Sequence, residues 1–261
     1  MINPIKIGLK VWATNPIAHR DAAIKLAQND LCDFVEIYVV PGALETIERW
    51  KSFPLEKVIH APHLAHHFNL ADAALRESNR AIFREVQQFA DELSSSIIIC
   101  HGGTGGTPEE SVRQLADFND PRIVLENKPF WQHPDFMPDG DQHCRGAVFE
   151  EFYRMTQALN VRTCHDAAHT VCMANSLKLD WQRELARFES LHPVIHHLSD
   201  LTSADDELDS HTGLGQGALD WKAIIENLPC CTRLTLETPK ISQAHLDDFA
   251  AEVKMIRQAG F

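Results

Sequence analysis

The chain repeats one order from end to end: a short apolar run, then a stretch with helical spacing, eight times over. The apolar runs cover 5–12, 34–40, 58–60, 96–101, 122–126, 161–166, 193–198 and 233–237. Helical spacing predicts helices over 19–29, 43–50, 72–93, 148–159, 219–228 and 246–259, one more opening at Pro108 and one carrying Trp181. In the longest, Leu75, Ile82, Val86 and Phe89 share a face, and Asp72 stands where an N-cap belongs. Pro108 followed by two Glu suits a first helical turn. Regular β–α alternation implies a parallel sheet with right-handed crossovers. Eight such units in 261 residues predict an α/β fold, a closed (β/α)₈ TIM barrel forming a single domain over residues 1–261. An open doubly wound sheet is the alternative, but it would not end nearly every strand in a polar residue.

The 44% hydrophobic content is enough for one sizeable core, and no linker, internal repeat or low-complexity block divides the chain. No apolar run approaches the ~20 residues of a membrane span. The opening Met-Ile-Asn-Pro-Ile-Lys lacks the pattern of a signal peptide. Seven cysteines without framework spacing predict reduced thiols and a cytoplasmic location, with Cys230 and Cys231 expected as core or structural thiols. A net charge of −13 argues against broad, non-specific nucleic-acid binding, although bound divalent cations would cancel part of it. The 15 histidines are spread along the chain rather than gathered in a tag.

Six strand ends are polar: His60, His101, Glu126, Asp166, His197 and Glu237. The loops after strands six and seven add His169, Asp209 and His211. In a barrel all nine gather at the C-terminal rim, where active sites are built. A buried strand tip is a poor place for charge unless a cation sits there. Imidazole and carboxylate ligands suit Zn²⁺, with Mn²⁺ also possible at one or more sites, and the set contains no Cys of a structural zinc site. Singly, each residue has a plainer reading: a hydrogen-bonded core His, Asp166 as a helix cap, Glu237 as a solvated loop residue. Nine at corresponding places are harder to explain that way. His63, His66 and His67 fall in a loop and are expected to stay outside the site. His165 and His196 face away from it and read as packing or supporting groups. The glycine run 102–106 lacks the Lys-Ser/Thr of a phosphate loop and reads as a flexible turn. Lys128 reads as solvated, with substrate contact as the rival reading. No Ser or Cys nucleophile with a base stands out.

Asp166-Ala-Ala-His169, His197-Leu-Ser-Asp200, Asp209-Ser-His211-Thr-Gly-Leu-Gly-Gln-Gly217 and Leu236-Glu237-Thr-Pro239 resemble motifs of the xylose isomerase-like TIM-barrel superfamily, endonuclease IV (AP endonuclease family 2) branch. The resemblance spans essentially the whole chain. It implies up to three zinc ions: one on His60, His101 and Glu126, one shared by Glu126, Asp166, His197 and Glu237, and one on His169, Asp209 and His211. It implies multi-zinc hydrolysis of phosphodiester bonds at abasic DNA sites or of a related phosphoester, with Glu126 and Glu237 as the catalytic carboxylates. The alternative within the superfamily is a metal-dependent sugar or sugar-phosphate isomerase or epimerase, which needs only Glu126, Asp166, His197 and Glu237 on one metal. A barrel that binds metal without activity is a third reading. The implied partners are abasic DNA, a small phosphoester or a sugar, with no membrane and no protein partner indicated. Four segments depart from the nuclease pattern. Asp-Ala-Ala-His replaces Asp-Thr-Cys-His, and Asn-Lys-Pro-Phe-Trp follows Glu126 in place of a small turn. Val40-Pro-Gly-Ala-Leu-Glu lacks DNA-gripping residues, and His63, His66 and His67 stand where a wedge is usual.

Overall fold

A computed structural model describes residues 5–135 and 140–261. Eight strands close into a barrel in sequence order: β1 Lys6–Trp12, β2 Phe34–Tyr38, β3 Glu56–His60, β4 Ile98–His101, β5 Ile123–Glu126, β6 Arg162–Asp166, β7 Ile195–Leu198 and β8 Arg233–Leu236. Every neighbouring pair is parallel, including the closing pair β1–β8. The described residues therefore form the expected (β/α)₈ barrel. No helix among them is long and apolar enough to cross a membrane.

The helices are α1 Ile17–Gln28, α2 Ile47–Lys51, α3 Arg76–Glu92, α4 Pro108–Phe118, α5 Phe149–Leu159, α6 Ala167–Leu177, α7 Trp181–Glu189, α8 Trp221–Glu226 and α9 Asp247–Gln258. One more helix is described than the spacing predicts, because two follow β6. The first of them, α6, is buried from Ala167 to Ala174, so it shows no polar face to reveal its period. Asp72 does cap, accepting from the Ala74 amide, but it caps a single 3₁₀ turn, Ala73–Leu75, ahead of α3.

Alternation along the strands divides each one between two environments. Outward side chains pack under the helices in the main core. Inward side chains fill the barrel: Phe34, Val58, Ile97, Ile99, Val124, Cys164 and Ile195 form its apolar floor. The next inward residue up the strand is Glu36, His60, His101, Glu126, Asp166 or His197. The register aligns this polar layer, pairing His101 with Glu126 and Asp166 with His197. Gly8 makes room for the floor: a β-carbon there would lie 2.2 Å from the Phe34 ring.

Two expectations are corrected. Cys230 and Cys231 are exposed, because they lie in the turn after Pro229 rather than in a strand; all seven cysteines are free. The glycine run is a packed turn rather than a flexible one. A β-carbon on Gly106 would lie 1.9 Å from the Ala71 carbonyl oxygen, at a φ of +53°.

The floor makes a prediction. Gly8→Ala overpacks Phe34 and should destabilise the barrel by about 1–3 kcal/mol, with part of the loss recovered in Gly8→Ala/Phe34→Leu. Thermal unfolding of the three proteins checks it; an unchanged midpoint in Gly8→Ala would count against this packing.

Candidate metal centre

The nine expected residues gather at the C-terminal end of the barrel: His60, His101, Glu126, His169, Asp209, His211 and Glu237 line a cavity of about 560 Å³, and the buried Asp166 and His197 lie beside them, Asp166 Oδ2 3.9 Å from His169 Nδ1 and His197 Nδ1 2.8 Å from Glu237 Oε1. They form three groups, and Glu126 belongs to the first two. In the first, His60 Nε2 and His101 Nε2 lie 3.1 and 3.0 Å from Glu126 Oε2. In the second, His197 Nδ1 lies 2.8 Å from Glu237 Oε1 and 3.5 Å from Glu126 Oε1. Asp166 Oδ2 and His197 Nδ1 are both buried without a hydrogen-bond partner among the described residues. In the third, Asp209 Oδ2 lies 3.1 Å from His169 Nε2 and 2.8 Å from His211 Nε2.

The histidine tautomers give these distances their meaning. His60 Nδ1 faces the Ala61 carbonyl, His169 Nδ1 the Asn127 carbonyl and His211 Nδ1 the Glu237 carbonyl. A carbonyl only accepts, so each of these nitrogens carries the proton. In a neutral ring the other nitrogen, Nε2, is then a bare lone pair, and all three aim at a carboxylate oxygen. His197 is set the other way: its Nε2 donates to Glu36 Oε2 at 2.9 Å, turning Nδ1 toward Glu126 and Glu237. Acceptors that converge on acceptors need a proton or a cation between them. Ligating histidines are commonly oriented in this way through their other ring nitrogen. The residues fit divalent ions such as Zn²⁺ or Mn²⁺.

Without ions, protons stand in their place. At His211, partial withdrawal from water opposes the charge, but Asp209 outweighs it and raises the imidazole to about 9. Burial likewise opposes charge on His169 and His197, and neighbouring groups, Asp166 for the first and Glu36 with Glu237 among those of the second, reverse the outcome. Burial raises Asp166 to about 6 despite the opposing pull of His169. His101 goes the other way: burial depresses it to about 3, leaving a neutral ring.

Asp166 shows how two readings of one residue can both hold. Oδ1 caps α6 by accepting from the His169 amide at 2.8 Å, while Oδ2 faces the site. His165 and His196 lie outside the mouth, as expected. His63 does not: it lines the mouth and stacks on His101 at 5.8 Å. His66 packs against Trp12 and Tyr38, and His67 ends the 3₁₀ turn Leu64–His66 at a φ of +56°. The loop bends back over the barrel because the Tyr38 hydroxyl accepts the His63 amide.

Three residues of this layer escape the sequence reading. Glu36 is fully buried, bonded to His197 and Thr235; burial pushes its pKa up, but His197 and Lys10 outweigh that and bring it to about 2. Lys10 Nζ donates to both Glu36 and Glu237 at 2.6 Å. The Asn127 side chain clamps the Asp166 backbone on both its amide and its carbonyl. A signal for the first two is present in the sequence: single charges inside the apolar runs Leu9-Lys-Val and Val35-Glu-Ile, with inward parity. Charge at strand ends alone does not find them.

The fold is a closed (β/α)₈ barrel whose mouth gathers buried groups that could hold metal ions. Residues 33–259 match the family model for the xylose isomerase-like TIM barrel, so the chain belongs to that family. No curated protein matches it in sequence. Among solved structures, endonuclease IV from Thermus thermophilus is similar at 18% identity and a TM-score of 0.66, covering 97% of this chain and 98% of that one. The TTHB071 protein from the same organism, soaked with ZnCl₂, is similar at 20% identity and 0.67, with 98% of each chain covered. 3-Keto-D-glucoside 4-epimerase from E. coli is similar at 14% and 0.65, covering 97% of this chain and 99% of that one. At such identities the likeness is one of fold.

Ion uptake by this mouth must displace protons from the imidazoles whose pKa is raised. Affinity for Zn²⁺ should therefore rise with pH up to at least the His211 value of about 9, with proton release over the same range. Calorimetric titration in buffers of different ionisation enthalpy measures both. A pH-independent affinity with no proton release would rule out this arrangement of ligands.

Proposed function

We propose that the chain is a metal-dependent phosphoester hydrolase using up to three divalent ions, zinc first among them. Its substrate is a phosphodiester at an abasic DNA site or a related phosphoester. The observation that carries this reading is Asp209 facing two imidazoles whose Nδ1 atoms are tied to carbonyls. A one-metal sugar isomerase needs Glu126, Asp166, His197 and Glu237; the Asp209 group is surplus to it, as are His60 and His101.

The lining of the mouth supports an anionic substrate. Lys10, Lys128 and Lys240 all border it, in a chain of net charge −13. The same cavity is lined by the carboxylates of Glu126, Asp135, Asp209 and Glu237, so it is bound divalent ions together with these ammoniums that would turn its potential positive toward an anion. Lys10 is bound to two carboxylates, whereas Lys128 makes no ion pair among the described residues. Lys240, whose ammonium donates to the Thr238 hydroxyl, likewise makes no ion pair among the described residues, so Lys128 and Lys240 are the groups assigned to a phosphoryl oxygen. Divalent ions held here would activate water and neutralise charge on the phosphoryl group. The chain's own residues orient that chemistry: Glu126 links the first two groups, and Glu36 fixes the His197 ring.

A sugar isomerase or epimerase is the second reading, and two observations favour it. Glu126 and Glu237 flank the same His197 nitrogen and form a ready acid–base pair. Trp12, 46% exposed, and Tyr38 add aromatic surface at the rim.

The assay is cleavage of a duplex with one abasic site and of a small phosphodiester, beside a panel of ketoses and aldoses, each with Zn²⁺ or Mn²⁺. Glu126→Gln should lose both metal content and turnover while the barrel stays folded. Asp209→Ala and His211→Ala should lose roughly 10²–10³-fold in cleavage, the usual size for a lost electrostatic stabiliser, and retain the other ions. Sugar interconversion that survives both changes, with no cleavage by the parent, would replace the hydrolase with the isomerase.

A further inference from the structure

A second group of titratable side chains sits on the outer wall of the barrel. His165 on β6 and His196 on β7 are register partners and face α7. Both reach Glu189, the last residue of α7. His165 Nδ1 lies 2.5 Å from Glu189 Oε1, and His196 Nε2 lies 3.0 Å from Oε1 and 3.1 Å from Oε2. Each imidazole is 2% exposed. The remaining ring nitrogens are held by hydroxyls, His165 Nε2 by Thr170 at 3.0 Å and His196 Nδ1 by Thr232 at 2.8 Å.

The surroundings of this trio are unusual for the outer wall. Elsewhere on that face, strand and helix side chains interlock in the main core. Here a cavity of about 490 Å³ remains between α7 and α8, walled by Trp181, Leu185, Ile224 and Leu228, with the trio lining it. Buried titratable groups beside unfilled space are a poor solution for packing alone, since apolar side chains would fill the space and need no partners.

The trio offers one carboxylate and two imidazoles, with donor atoms within 4.8 Å of one another. Each ring is oriented by a hydrogen bond to its other nitrogen, the arrangement that metal-ligating histidines use. Ligand atoms around a tetrahedral ion with bonds of ~2.0–2.1 Å sit roughly 3.3 Å apart, so each imidazole needs to part from the carboxylate by less than about 1 Å. Three protein ligands leave a fourth coordination position, and the cavity gives it room. We propose that His165, Glu189 and His196 form a separate divalent-metal site, open to an external ligand from the cavity between α7 and α8. It lies on the opposite face of β6 and β7 from Asp166 and His197.

A plain structural role predicts something different: a hydrogen-bonded clamp would hold α7 on the barrel wall whatever metal is supplied. Parent and Glu189→Gln are dialysed against Zn²⁺ or Co²⁺, and bound metal is counted by atomic emission. Whatever number of ions the mouth takes up, Glu189→Gln should bind one fewer per chain than the parent. With Co²⁺ it should also lose part of the visible absorption. If Glu189→Gln fails to fold, His196→Gln is counted in its place, with the same loss expected. A folded variant that binds as many ions as the parent, with an unchanged Co²⁺ spectrum, overturns the site and leaves the clamp.

Discussion

Glu126 is a carboxylate with 1% exposure at the centre of the barrel, and four imidazoles are turned toward it. Its Oε2 meets His60 and His101; its Oε1 meets His169 at 3.4 Å and His197 at 3.5 Å. An ionised carboxylate so deeply buried is tolerable only when positive charge compensates it. Burial alone would push it toward the neutral acid, yet the imidazoles that face it, with His197 carrying the charge, hold it well below the usual carboxylate range. The rest of the mouth follows from this. Imidazoles must surround it from the neighbouring strands and from α6, and groups behind three of them set their ring orientation: the Ala61 carbonyl for His60, the Asn127 carbonyl for His169 and Glu36 for His197.

The same condition explains why the barrel is divided by height. Below the polar layer, Phe34, Val58, Ile99, Val124 and Ile195 close the interior, with Gly8 yielding its side-chain volume to Phe34. The apolar floor keeps water from reaching the charges from beneath. With water excluded, charge interactions in the layer above are stronger, and so are the penalties for leaving them unpaired. Glu36 marks the boundary between the two. It accepts from Lys10, His197 and Thr235 at once, so both of its oxygens are engaged inside the barrel.

Much of this was legible in the sequence, because strand alternation and strand ends are local properties. A residue such as His101, closing a run of Ile97-Ile-Ile-Cys, announces both its strand and its end. What was lost depended on contacts between distant segments. Glu36 and Lys10 lie inside apolar runs, and only the closed barrel shows that their parity brings them beside His197 and Glu237. His63 reads as a loop residue in the sequence, because nothing local shows that the Tyr38 hydroxyl accepts the His63 amide. Helix α6 was missed for the reverse reason: burial on all sides erased the amphipathic period that marks a helix. Cys230 and Cys231 failed in the same way, since an apolar pair in a turn looks like core until the turn is seen.

Lys10 bears on how the mouth balances its charge. Its ammonium bridges Glu36 and Glu237, and its position on β1 puts it between the strands that supply them. An ammonium offers three donors and a fixed charge, so it neutralises part of Glu237 whether or not ions are bound. The Glu237 oxygen that Lys10 holds is Oε1, the same atom that lies 2.8 Å from His197 Nδ1. An ion at that position therefore shares its carboxylate with an ammonium. That sharing would weaken the carboxylate as a ligand, while Glu126 and Asp209, which have imidazoles but no ammonium on their oxygens, would keep their full charge for any ion held there. The three groups are thus unequal by construction, with the one containing Glu237 the first expected to release its ion as metal is withdrawn.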